Sequence, residues 1–359
     1  MQPRSKTAAT VALLALLLGL AGAASAEAGT LAPKGKKIFF GVSDTGDPAD
    51  FGQFSDALDK HPALIQTFRT WGSDFPESIE RWQTARARPV LHFTTADSKD
   101  GHELISPRAI ARGDGDDYLI RLNKLFWAKG MRAYLRPLGE PNRCLNVYAS
   151  YDCAGKPRDA AHRPRWYRLA FRRMFVILHG GGKRRQIDRR LAKAGLPPLR
   201  GEVGGLPRAP IAVIWSTLPA GSPTTPRNRP RHFYPGADYV DWVGTDIYSD
   251  NQDWKALAGL YRRYSDKPFA LPEFGVTGGD APRFMRKLTT WVLRHRRCKM
   301  LVYYQDFGSA SSYRLQNYPA SLGVLRDAIH RKAFPPYAPN PPKAPPAPPP
   351  PKGGVGAKR

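Results

Sequence analysis

The sequence predicts an α/β chain whose parallel strands close into a single (β/α)8 TIM barrel. Three observations predict it. Eight short, almost continuous apolar runs recur along the middle of the chain, as strands buried on both faces require. Amphipathic helical stretches separate most of them. No glycine-rich phosphate loop follows an early run, so the alternative, a doubly wound open sheet, lacks its usual mark.

The strands are expected at Ile38–Ser43, Ile65–Trp71, Pro89–Phe93, Arg132–Pro137, Ile211–Ser216, Val240–Tyr248, Phe269–Phe274 and Met300–Phe307. Helical periodicity marks Phe51–Asp59, Ser78–Ala87, Tyr118–Lys129, Trp166–His179, Trp254–Tyr264, Pro282–Arg296 and Ser321–Lys332. Gly180-Gly181-Gly182 ends a helix, and the basic stretch Lys183–Pro210 reads as a surface insertion.

The two ends differ from this body. Residues 1–26 have a basic start (Arg4, Lys6), an apolar run from Val11 to Ala23 and an Ala24-Ser25-Ala26 cleavage pattern. That is the form of a secretory signal, too short for a comfortable membrane span. The mature chain is therefore expected outside the cytoplasm, secreted or at the cell envelope, with no transmembrane segment and as a monomer. Residues 335–359 are proline-rich and basic, a composition that builds no core of its own. They are expected to form a disordered tail behind a domain spanning 27–334.

The chain has 359 residues and a formal net charge of +26. The signal holds two cations and the tail four, with no acids in either, so +20 belongs to the body. No zinc finger, RNA-recognition signature or basic zipper accompanies that charge, and export argues against nucleic acid. Acidic cell-envelope polymers are the expected counter-charge. Cys144 and Cys153 bracket a short loop and are expected to pair on export, leaving Cys298 over. No cysteine, histidine or carboxylate spacing points to a metal, and no motif points to a cofactor.

In this fold the chemistry sits at the C-terminal ends of the strands. The fourth strand runs into Arg136-Pro137-Leu138-Gly139-Glu140-Pro141-Asn142 and the seventh into Leu271-Pro272-Glu273-Phe274-Gly275. Each sets a glutamate beyond an apolar run, where a carboxylate needs partners or a task. Two carboxyls facing one another across a barrel mouth are what glycoside hydrolysis uses: one protonates the leaving oxygen, and the other attacks the anomeric carbon or activates water.

The motifs carry a resemblance. Tyr234–Tyr248 (YPGADYVDWVGTDIY) closely resembles the YPG…YVDWVG.D.Y stretch of glycoside hydrolase family 26, a group of mainly β-mannanases within the retaining clan A enzymes. The Arg136-Pro137…Glu140…Asn142 and Pro272-Glu273-Phe274-Gly275 segments resemble that family's acid/base and nucleophile motifs. The resemblance implies Glu140 as general acid/base and Glu273 as nucleophile. It implies Tyr248 as a donor to the nucleophile, Arg136 as positive charge beneath the site, and Asn142 beside the acid/base on the substrate side. Gly139 departs from the pattern, since the family has His before its acid/base glutamate. Trp71 and Trp215 at strand ends are candidate sugar platforms, and His92 is a candidate cavity residue. Tyr304 or Phe307 is a candidate replacement for a clan A tryptophan, and Ser43 and Asp44 are candidate floor residues of the mouth. The function expected is hydrolysis of a β-linked polysaccharide, endo-acting. The alternatives are a non-catalytic glycan-binding envelope protein or a transglycosylase on the same scaffold.

Overall fold

A computed structural model describes residues 29–306 and 312–344. The expected signal, Phe307 and the last fifteen residues of the tail lie outside the described residues.

Eight parallel strands form the barrel: β1 (Phe39–Ser43), β2 (Leu64–Thr70), β3 (Arg88–Thr94), β4 (Ala133–Pro137), β5 (Ile211–Ser216), β6 (Trp242–Gly244), β7 (Phe269–Gly275) and β8 (Cys298–Tyr303). They pair in chain order, and β8 closes onto β1 through Phe39↔Met300 to Val42↔Tyr303. Helices α1 (Pro48–Leu58), α2 (Pro76–Thr84), α3 (Pro107–Arg112), α4 (Asp116–Ala128), α5 (Pro164–His179), α6 (Arg184–Lys193), α7 (Trp254–Arg263), α8 (Pro282–Arg294) and α9 (Pro319–Ile329) surround it. Most start with proline in their first turn, where its missing N–H costs nothing.

Three details depart from the sequence pattern. The expected surface insertion holds a helix, α6, whose Ile187 and Leu191 are fully buried; its seven polar or charged residues in ten obscure a one-sided apolar face. The β5–β6 connection carries three single-turn 3-10 helices and no α-helix. The sixth strand is interrupted after Gly244 and resumes only at Ile247–Tyr248.

The pleat sorts the barrel interior into layers, because alternate residues of a strand face one side. A lower layer of Phe39, Val90, Tyr134, Ile214, Trp242 and Met300 forms an apolar cluster separate from the larger one beneath the helices. Two residues further along, the same strands present His92, Arg136 and Ser216, so the polar layer lies directly above the apolar plug. Strand register confirms the level: Phe68 pairs with His92, and His92 with Arg136.

The floor is closed by both ends of the described chain. Trp242 Nε1 donates to Thr30 O (2.6 Å), and Tyr134 Oη donates to Leu31 O (2.6 Å). Arg88, 2% exposed, donates to Leu31 O, Tyr134 Oη and Pro339 O. Residues 335–344, expected within a free tail, thus begin as part of the body. Ala338 is buried, and His61 holds Pro336 O at 2.9 Å. The reason is that carbonyls and small apolar side chains of a proline-rich strand suit a floor whose polar groups are mainly donors.

Gly41 in β1 lies where a Cβ would come within 2.6 Å of Leu64 Cβ and 2.9 Å of Leu64 O on β2. Gly41→Ala is expected to destabilise the fold by about 2–3 kcal/mol through overpacking, as a lowered urea midpoint with unchanged slope.

Candidate active site

Glu140 and Glu273 come to the same end of the barrel, on nearly opposite strands. Each is held by a local device. Beyond β4 the chain turns through Leu138 (φ +47°), Gly139 and Glu140 (φ +53°). Left-handed conformations at non-glycine residues cost about 1–3 kcal/mol each and persist only where the surroundings enforce them. Here every backbone polar group of the turn is bound. Leu138 N donates to Phe93 O of β3 (3.0 Å), and Glu140 N to Ser216 O of β5 (3.1 Å). Gly139 N donates to His92 Nε2 (3.2 Å). Tyr167 donates to Leu138 O, Tyr148 to Gly139 O, and Asn146 to Glu140 O. A disulfide between Cys144 and Cys153 ties down the loop that follows, and Cys298 is a buried free thiol.

On β7 the device is a proline. Pro272 offers no N–H to the ladder, and the register with β8 shifts between Leu271 and Phe274. The irregularity re-aims Glu273 into the mouth, as bulges near active sites do.

Arg136 joins the two. Its guanidinium is fully buried and binds Glu273 Oε1 through Nη1, Asp246 Oδ2 through Nη2 and Ser216 Oγ through Nε (2.6 Å). Burial disfavours its charge, but Asp246, Glu273 and Glu140 outweigh that and raise its pKa. Tyr248 Oη donates to the other oxygen of Glu273 at 2.8 Å. Burial, then the negative charge of Glu273 and Asp246, push the Tyr248 phenol well up, so it remains a donor. Glu140 Oε2 meets Arg143 Nη1 at 3.2 Å.

Sequence reasoning missed Asp246 as a member of the site. It lies in the gap of the sixth strand, fully enclosed, and its pKa is raised well above the carboxylate range. Burial is the main cause, opposed by Arg136 and reinforced by Glu273, Glu140 and a hydrogen bond with Glu140. Its Oδ2 is held by Arg136. The same rule that found the glutamates, an acid at an apolar strand's end, applies to it. Ser216, Arg143 and Tyr148 also escaped, because hydroxyls and surface arginines carry no distinctive pattern.

Other expected residues fall differently. His92 and Tyr304 reach the mouth, each edge-on to Phe68 at 5.2 and 5.6 Å, with Tyr304 also against Tyr248 and Tyr313. Ser43 is spent on Gln305 N, and Asp44 on Arg81 and Thr67. Trp71 and Trp215 are corrections: neither is a platform. Trp71 packs between Phe93 and Tyr118 under Gly115, and Trp215 is fully buried against Tyr234 and Tyr264. Asn142 is corrected too. It is completely buried and clamps Leu218 with both side-chain atoms (2.9 Å each), so it fixes the β5 loop and does not face substrate.

The stretch 213–293, from β5 through most of α8, matches the sequence model of Glycosyl hydrolase family 26. It contains Asp246, Tyr248 and Glu273 but not Glu140. That stretch is less than a quarter of the chain, and over it the sequence resembles the family. The barrel resembles GH26A from Muricauda sp. (15% identity, 86% of this chain, 94% of that chain, TM-score 0.55). It also resembles the Bacillus subtilis mannanase BCman (16%, 86% and 88%, 0.52) and the Bacteroides ovatus β-mannanase BoMan26A (15%, 87% and 93%, 0.53). At these identities the likeness is one of fold. No curated protein matches the sequence.

The glycine before Glu140 has a physical reason. A Cβ on Gly139 would stand 2.8–3.0 Å from Nε, Nη2 and Cζ of Arg136. Gly139→Ala is expected to push the guanidinium away from Glu273 and Asp246, lowering stability by about 2 kcal/mol and any turnover with it. Gly139→His should do no better. Urea titration with a parallel rate measurement checks both.

His92 gives a pH signature. Burial, then Arg136, hold its imidazole well below the ordinary value, so it stays neutral and accepts from Gly139. The unfolded chain binds this proton from about pH 6.5 downward while the folded chain does not. Stability is therefore expected to fall as pH drops below that value. His92→Phe should lose the Gly139 bond, at about 1 kcal/mol, but show a shallower acid-side decline in denaturation midpoints between pH 7 and 5.

Proposed function

We propose that the chain is an exported retaining glycoside hydrolase acting within a β-linked polysaccharide, mannan-like or a related envelope or plant glycan. The single observation that carries this reading is the arrangement of Glu273. It receives the buried Arg136 guanidinium on one oxygen and the Tyr248 hydroxyl on the other, at the same barrel end as Glu140. Donors on both oxygens fix the orientation of the carboxylate, as a nucleophile needs.

In the proposed reaction Glu140 gives its proton to the glycosidic oxygen as Glu273 attacks the anomeric carbon, and the leaving sugar departs as an alcohol. Water then attacks the glycosyl–enzyme ester. Glu140 takes the water's proton, and Glu273 is released as carboxylate. Asp246, fully enclosed, holds the Arg136 guanidinium in place beside Glu273. Arg143 balances Glu140 after proton donation. Tyr304, His92 and Phe68 supply the ring surface against which a sugar packs.

The substrate class rests on the family 26-like barrel and on neighbours described as β-mannanases. Export rests on residues 1–26. Glu140→Gln and Glu273→Gln are each expected to lower hydrolysis by roughly 10³-fold or more, with circular dichroism showing the barrel still folded under the assay conditions. The measurement is reducing-sugar release from a polysaccharide panel by the chain beginning at Glu27. Near-normal activity in either variant would overturn the assignment. A covalent glycosyl trap should label Glu273; a label elsewhere would reassign the nucleophile.

A further inference from the structure

We propose that His162 is a protonation-dependent latch on the wall of the barrel mouth. As imidazolium it ties the loop after β3 to the segment that holds Glu140, and loss of the proton undoes that tie. Its effect on turnover rests on the glycosidase reading; the latch itself does not.

Two segments form this wall. Residues 95–104 fold back on themselves after β3, through the Ala96–Glu103 bridge and the bonds from Asp97 N to His102 O and Leu104 N to Thr95 O (both 2.8 Å). Residues 143–163 follow Glu140. They include Arg143, Asn146 and Tyr148, which bind Glu140 and Gly139, and the disulfide. The first segment leads towards α3 and the second into α5. There packing joins them, because Arg108 and Arg112 of α3 stand over the Trp166 ring. At His162 they are joined by charge.

His162 is buried, two residues before α5. Its Nε2 lies 2.9 and 3.0 Å from the two oxygens of Glu103, on the other segment. Its Nδ1 lies 2.8 Å from Asp159 Oδ1, on its own segment. Both ring nitrogens thus meet acceptors, whereas neutral imidazole has a single N–H. Only the cation serves both. The chain has eight histidines, and His162 alone has a carboxylate on each ring nitrogen. Its hydrogen bond to Glu103, then that to Asp159, raise its pKa against the opposing effect of burial. The arginines of the neighbouring elements are engaged elsewhere: Arg158 on Cys144 O and Val147 O, and Arg108, Arg112 and Arg165 at Trp166.

Asp159 decides which bond fails on deprotonation. Its Oδ1 also accepts from Ala161 N (2.6 Å) and His162 N (3.2 Å), which pin it beside Nδ1. The remaining proton therefore stays on Nδ1, and Nε2 turns a lone pair toward the Glu103 carboxylate. The bond lost is the one between the segments. A histidine whose pKa is raised on folding stabilises fully below its unfolded value of about 6.5, and that contribution disappears as pH rises through the folded value. The latch is closed in mild acid and opens toward alkaline pH.

The test follows the histidine Cε1–H signals by NMR, together with hydrogen exchange corrected for intrinsic rates, from about pH 6 to 9 on the chain beginning at Glu27. His162 is expected to titrate above about 6.5. Protection of residues 95–104 should then fall by about tenfold, the contribution of one charge-assisted bond. Glu103→Gln keeps the side chain's shape and donates an amide N–H to neutral Nε2. In that variant His162 should titrate lower, and protection should hold through the same range. His179→Gln removes another histidine–aspartate pair, with Asp241 at 2.7 Å, and should leave 95–104 as in the parent. A His162 midpoint at or below about 6.5, or protection that falls equally in the parent and Glu103→Gln, would overturn the proposal. On a polysaccharide substrate the rate of Glu103→Gln relative to the parent should rise with pH; a flat ratio would overturn the link to turnover. A latch seen by exchange in a chain that releases no sugar would sink the glycosidase reading and leave the latch standing.

Discussion

The site depends on one buried guanidinium. Arg136 has no contact with water, and a charge so placed is tolerable only if fully paired. Its partners come from three other strands: Ser216 from β5, Asp246 beyond β6 and Glu273 from β7. The cation therefore draws one half of the mouth together. It also dictates the chain beside it, because its body fills the space a side chain at position 139 would need. The glycine and the strained Glu140 after it follow from where the positive charge sits.

Glu140 and Glu273 meet different surroundings. Glu273 is ringed by donors. Glu140 has Arg143 at its rim and the enclosed Asp246 beside it. The apolar plug under this layer gives the polar groups no alternative partners, and low permittivity strengthens those they have.

Most of the barrel was legible because parallel strands buried on both faces leave long apolar runs, and these bounded β1 to β5, β7 and β8 within a few residues. The interruption at Thr245 and Asp246 was not, since an apolar run does not announce where its backbone stops pairing. The glutamates were legible by position: acids at strand ends are chemically costly and therefore conspicuous. Asn142, Trp71 and Trp215 were not. An amide that clamps a loop and an indole that fills a core leave the same letters as residues that meet a sugar, and only packing separates them. Helix α6 was hidden by its charge, with Ile187 and Leu191 as its only fully buried apolar anchors.

The net charge gains meaning from its distribution. An evenly basic surface would serve solubility and general attraction to polyanions. This surface is uneven. Many arginines are consumed internally: Arg88 on floor carbonyls, Arg173 on Asp116, Arg314 on Asp50 and Arg136 at the site. These act as structural clasps and contribute little outward field. Exposed cations without an ion pair stand on several helices, among them Arg185 and Arg189 on α6 and Arg283 and Arg286 on α8.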